Sequence, residues 1–122
     1  MAAYQEPDPL PIEAGATFKK TYQYVSSLSP LTPINITSYT ARLMFRSKIK
    51  DATPVLSLTQ AATSSGQLII NGAQGTVEVY ITDTATMALT GGGVFDLELI
   101  TPGSEVIRLV QGAYTVSPNV TR

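Results

Sequence analysis

A chain of 122 residues is the size of one ordinary domain, long enough to bury a single core without disulfides or metals. Apolar residues make up 43% of it and charged residues only 14%, below the roughly 25% typical of soluble domains, so hydroxyl side chains carry much of the wetting of its surface. The formal charge of -1 supplies no global attraction to phosphate or anionic lipid, and the lack of cysteine excludes thiol chemistry and cysteinyl metal sites.

The opening stretch "MAAYQEPDPLPIE" carries Pro7, Pro9 and Pro11 on alternate positions. Each proline fixes its own φ and pushes its predecessor to extended geometry, which predicts a polyproline-like arm over 1–13 ahead of a domain over 14–122. The stretch is acidic where a secretion signal is basic and then apolar, and no apolar run approaches the roughly 20 residues of a membrane span. The expectation is a protein made in the cytoplasm with no membrane contact.

From Thr17 the pattern turns to period two, with Phe18, Tyr22 and Tyr24 against Lys19, Thr21 and Gln23, and Lys20 out of step. "SSLSPLTPIN" reads as a proline-punctuated link. "SYTARLMFRSKIK" (38–50) then alternates from Tyr39 to Lys50, and "TPVLSLT" follows as a strand with Val55 near an edge, because Pro54 withholds a ladder donor. "SSGQLIINGAQGTVEVYI" predicts a hairpin: Leu68 and Ile70, a turn through Asn71, Gly72 and Gly75, then Val77, Val79 and Ile81. "TDTATMAL" breaks the alternation. A Thr or Asp cap followed by Ala85, Met87, Ala88 and Leu89 predicts one or two helical turns, stopped by Gly91 to Gly93.

"VFDLELI" places Phe95, Leu97 and Leu99 inward, "TPGS" supplies a tight turn, and "EVIRLVQGAYTV" is the return strand. Neither parity of that strand is clean, and Gly112 is the expected bulge. About seven strands at roughly ten-residue spacing, with one helical insertion, predict an all-β, immunoglobulin-like antiparallel β-sandwich; a small barrel is the alternative.

Arg42, Met44, Arg46, Lys48 and Lys50 share one parity of the 38–50 segment, and Tyr39, Ala41, Leu43, Phe45 and Ile49 share the other. When Leu43 and Phe45 enter a core, the cations line up outside without any ligand requiring it. Nucleic-acid readers add a basic excess or stacking aromatics on the same face. Neither occurs here, so the stripe predicts a solvated sheet face, with acidic Glu78, Asp96 and Glu98 on other strands available alongside it, and a possible docking surface for an acidic protein neighbour. No direct nucleic-acid partner is expected.

Catalysis finds little support. Ser47 and Lys48 are strand neighbours that point apart, and Asp96 and Glu98, about 6.5 to 7 Å apart along a strand, are far commoner as surface wetting than as a hydrolytic pair. "DTATM" is too poor in oxygen ligands for a calcium loop, and "GAQG" and "TGGG" lack the lysine and helix of a phosphate loop. Asn35-Ile36-Thr37 matches the glycosylation acceptor pattern without a secretion signal beside it. No catalytic residue, metal or cofactor is expected.

The phrases "SYTARLMFRSK", "GTVEVYITDTATMAL", "VFDLELITPGSEVIRLVQG" and "YTVSPNVTR" together resemble a family of small proteins of tailed-bacteriophage and prophage genomes. The family's closing pattern is matched by Leu109, Gly112, Val116, Ser117, Pro118, Val120, Thr121 and Arg122; Ser38 departs from it, and residues 1–11 have no counterpart in it. The layout is also similar to the amino-terminal immunoglobulin-like domain of phage baseplate upper proteins.

The resemblance implies a virion structural protein present in several copies, in contact with tail or portal-proximal proteins and fibres. The leading expectation is a tail adaptor, with capsid decoration and a carbohydrate- or receptor-binding module as alternatives. The arm residues Tyr4, Pro7, Pro9, Leu10, Pro11 and Ile12 are then expected to lie on a neighbouring subunit, with a disordered or self-docked terminus as the alternative. Sparse tyrosines, Tyr4, Tyr80 and Tyr114, speak against the carbohydrate module.

Overall fold

A strand is the regular element that sends alternate side chains to opposite faces, and alternation of apolar with polar residues runs through most of this chain. The computed structural model describes residues 4–5, 9–28, 30–48, 50, 53–89 and 91–118. In chain order they form β1 (Tyr4–Gln5), β2 (Leu10–Glu13), β3 (Phe18–Gln23), β4 (Val25–Leu28), β5 (Leu31–Pro33) and β6 (Thr40–Arg46). Then come β7 (Leu56–Thr59), β8 (Gly66–Asn71), β9 (Thr76–Ile81), α1 (Asp83–Ala88), β10 (Gly92–Ile100) and β11 (Val106–Ser117).

The largest sheet has the order β1-β11-β10-β6-β7, with β2 also on β11; a second is β3-β9-β8, and β4 and β5 form a small third. The pairings within β11-β10-β6-β7 and within β3-β9-β8 are antiparallel, and the two inner faces close on one core. Strands three, nine and eight against six, ten and eleven reproduce the division of an immunoglobulin-like sandwich, with β7 added beside β6. The leading strands depart from the commonest version: they pair in parallel with the last strand rather than beside β3.

The core is aliphatic with one aromatic cluster. Phe45 of β6 lies 4.6 Å from the ring of Tyr114 on β11 and 5.6 Å from that of Phe95 on β10, both tilted, which adds about 0.5–1.5 kcal/mol per pair to their burial. Leu97 and Leu99 of one sheet and Val77, Val79 and Ile81 of the other are buried in one cluster, as their alternation predicts. β3 is an edge, and Lys20 sits at an inward parity opposite Val79 while remaining exposed. A charge at such a position discourages pairing with a further strand, which accounts for the residue that breaks the alternation.

Four expectations need correction. The 26–35 link contains a hairpin of β4 and β5, with Val25 opposite Pro33 and Leu28 opposite Leu31. Its base is fastened to the β8–β9 turn, since Tyr24 N–H donates to Gly75 O at 2.8 Å and Ile36 N–H to Gly72 O at 2.9 Å. A Cβ on Gly75, which has φ 68°, would stand 2.5 Å from Ile34 O, so this close approach of two backbones needs glycine. The basic strand stops at Arg46 instead of reaching Lys50: Ser47 is exposed in a bend, and Ile49 lies outside the described residues.

The bulge of β11 is at Leu109, not Gly112. Leu97 pairs with Val110 and Glu98 with Arg108, which leaves Leu109 as the extra residue and buries both Leu109 and Val110. Finally, β2 belongs to the packed domain, so that unit takes in residues ahead of 14: Leu10 and Ile12 are 4% and 0% exposed, in the same core as Phe45.

The helix follows its caps. Thr82 accepts the Ala85 N–H at 3.3 Å and donates to Ser64 O at 2.7 Å, fixing the start of α1 to the preceding loop. Leu89 is extended and buried, and Gly92 and Gly93 already belong to β10. The side chain that α1 buries is Thr86, while Met87 points out at 48% exposure. Thr86 Oγ1 accepts the Gly15 N–H at 3.1 Å and lies 2.8 Å from Ala16 O and 3.0 Å from Asp83 O, its one proton serving one carbonyl at a time. This hydroxyl ties the turn after β2 to the helix.

Candidate functional site

β6, β10 and β11 each present every second side chain outward, and their register decides which of these meet. Glu98 stands opposite Arg42 on one side and Arg108 on the other; Asp96 stands opposite Met44 and Gln111; Val94 stands opposite Arg46 and Ala113. Arg42 Nε donates to Glu98 Oε1 at 2.7 Å, and Arg108 reaches Asp96 at 3.6 Å and Glu98 at 4.0 Å. Arg108 also donates to Gln111 Oε1 at 3.0 Å, and Arg46 places an N–H 3.3 Å from the Met44 sulfur. The result is a ladder of arginines and carboxylates across three strands.

Beside the ladder lies an open trough of about 400 Å³, lined by Met44, Arg46, Val94, Asp96, Arg108 and Gln111, with the backbone at Phe95 and Gly112 beneath. The Asp96 carboxyl lies above the ordinary value of 3.8: burial raises it most, the neighbouring Glu98 adds to the rise, and Arg108, Arg46 and Arg42 oppose it. Burial likewise raises the Tyr114 phenol above its ordinary value.

Of the expected docking residues, the register brings Arg42, Met44 and Arg46 onto this face, whereas Lys48 and Lys50 follow the strand and are exposed at its Arg46 end. Asp96 and Glu98 do lie alongside the cations; Glu78 does not, because β9 belongs to the other sheet. Asp96 and Glu98 share a face as their spacing predicts, and both are engaged by arginine.

Sequence reading missed Arg108, Gln111 and Val94. Counting back from the Pro102-Gly103 turn pairs Ile100 with Val106 and Glu98 with Arg108, a signal that was present in the chain.

The arm residues divide. Leu10 and Ile12 are internal packing of their own chain, so the self-docked arrangement is the one observed, and these two side chains are occupied. Two apolar side chains on alternate positions of an extended segment find a hydrophobic slot at the β11 edge, which explains the outcome. Pro9 and Pro11 are exposed; the backbone of Tyr4 pairs with Val110; Pro7 lies outside the described residues. Tyr114, one of three tyrosines weighed for a carbohydrate site, is stacked in the core. Asn35 of the acceptor pattern takes the Thr37 N–H at 2.9 Å and the Thr37 hydroxyl in a local turn.

Among the described residues there is no cluster of His, Cys, Asp or Glu suited to a metal ion, and no helix is long and apolar enough to cross a membrane. No known family model matches the chain, and no curated protein does.

Proposed function

We propose that this chain is a non-enzymatic structural protein of a tailed-bacteriophage particle, acting at the tail as an adaptor or attachment module for fibres or other tail proteins. The observation that carries the reading is the outer face of β6, β10 and β11. Its carboxylates are held by Arg42 and Arg108, so the pair closest to a hydrolytic site is bound up in structural ion pairs on an open sheet surface. Such a surface is suited to contact with another protein. The resemblance of the phrases from "SYTARLMFRSK" to "YTVSPNVTR" to proteins of tailed phages is what suggests the particle.

The contact in this reading is made by the sheet face and by the exposed Pro9 and Pro11, since Leu10 and Ile12 are committed to the core. Quantitative mass spectrometry of purified particles, followed by electron microscopy with the chain labelled, tests it. A tail module is expected at on the order of ten copies, the content of one or a few closed rings. Hundreds of copies over the shell would make it a decoration protein, and absence from particles would overturn the proposal.

A further inference from the structure

β2 is held to its own chain in the way a bound peptide is held. β1 lies along β11 at Val110 and Gln111, and β2 lies along it from Tyr114 to Ser117, both in parallel, so a main-chain ladder and the alternate side chains Leu10 and Ile12 retain the arm. No hairpin joins β2 to β11, which stand far apart in the sequence. What keeps the arm on its own body is the turn between β2 and β3. There Gly15 has φ 85°, Ala16 N–H donates to Glu13 O at 3.0 Å, and Thr86 Oγ1 accepts the Gly15 N–H at 3.1 Å.

Opening that turn gives up these contacts and the one from Thr86 Oγ1 to Ala16 O. The pairing with β11, the Ala14 N–H on Ser117 O at 2.9 Å and the slot for Leu10 and Ile12 are the same whichever copy supplies the strand. Extended, the segment from Glu13 to Phe18 spans about 17 Å, a tether that lets the arm cross to an abutting copy. Pro9 and Pro11 face solvent and fix their own φ, so a released arm loses little further freedom when it docks again.

We propose that copies of this chain exchange arms: β1 and β2 of one copy fill the β11 edge and the Leu10 and Ile12 slot of the next, the partner being a second copy of the chain. A lone chain in dilute solution docks its own arm because the short turn keeps it close. Where copies stand side by side the neighbour's edge is as close, and exchange then links them without any new interface. The inference rests on the proposed function only for the presence of several copies, and a failure to exchange leaves the count of copies in particles untouched.

The chain has no cysteine, so engineered ones report cleanly. Pro11 and Thr115 are register partners, both exposed, on strands about 4.8 Å apart, which is within disulfide reach. Chains carrying P11C and chains carrying T115C are unfolded together, refolded at increasing protein concentration, oxidised, and resolved by non-reducing electrophoresis and mass spectrometry. A P11C–T115C heterodimer in excess over the two homodimers together is expected, its share growing with concentration. The double variant P11C/T115C, oxidised after dilute refolding, is expected to close within one chain and then to stay monomeric in size-exclusion chromatography at every concentration. A heterodimer no more abundant than the two homodimers together would overturn the exchange, as would a closed double variant that still forms the dimer.

Discussion

β2 and β6 both alternate buried with exposed side chains, yet they are held in place by different means. β6 lies between β10 and β7 with antiparallel ladders on both edges, and its inner face carries Ala41, Leu43 and Phe45. β2 has one neighbour, runs parallel to it, and spends one of its four positions on Pro11, which has no N–H to give. What retains β2 is the burial of Leu10 and Ile12, about 1.5–3 kcal/mol each, and the Thr86 hydroxyl behind it. A strand within a ladder survives the loss of one side chain's contacts, while a strand at an edge depends on its few buried side chains.

The largest expected effect follows from removing residues 1–13. Losing both buried side chains takes away a substantial part of the roughly 5–15 kcal/mol that stabilises a domain of this size, so thermal unfolding by circular dichroism should shift down steeply or vanish. An unchanged melting curve would mean that β2 is dispensable and that the contrast with β6 is wrong.

Ile12→Ala isolates one side chain and should cost about 2–5 kcal/mol in denaturant unfolding, whereas a change at the exposed Pro11 to Ala should cost far less. Thr86→Val keeps the shape of the side chain and removes its hydrogen bonds to the turn after β2, leaving the Gly15 N–H without its acceptor. A loss of about 1–3 kcal/mol is expected, with faster amide exchange at Gly15 as its signature.

On the β6 side the effects are smaller. Arg42→Ala breaks an exposed ion pair with Glu98 and should lower stability by no more than about 1 kcal/mol, vanishing at high salt. Asp96→Asn should act in the opposite direction. Because burial holds the folded carboxyl above its unfolded value, the contribution of Asp96 to stability is fully present below 3.8 and is lost as pH rises through the folded value. The asparagine variant should therefore be slightly the more stable at neutral pH, with the gap closing in acid. A variant less stable than the parent at pH 7 would show that the Arg108 contact outweighs burial.

Much of the sandwich was legible because strand periodicity is local. The parity of Ala41, Leu43 and Phe45, the β8–β9 hairpin with its glycines, the inward Phe95, Leu97 and Leu99, and the Thr82 cap all follow from neighbours in the chain. The outer-face site was half legible: its β6 residues came from alternation, but Arg108 and Gln111 join them only through pairing across β10. Prolines misled twice. Pro30 and Pro33 suggested a bare link where β4 and β5 pair, and the prolines of the arm gave its extended shape without giving its destination.

The amino-acid sequence alone determined that this protein is a β-sandwich with its cations on a wet face, since side-chain parity in a strand is set every two residues. Only the tertiary structure decided that Leu10 and Ile12 fill their own core, that Leu109 is the bulged residue, and that Arg46 and Arg108 flank one trough. These depend on which strands lie side by side and in what register, and register is chosen by the fit of whole faces, a property no short stretch of chain contains.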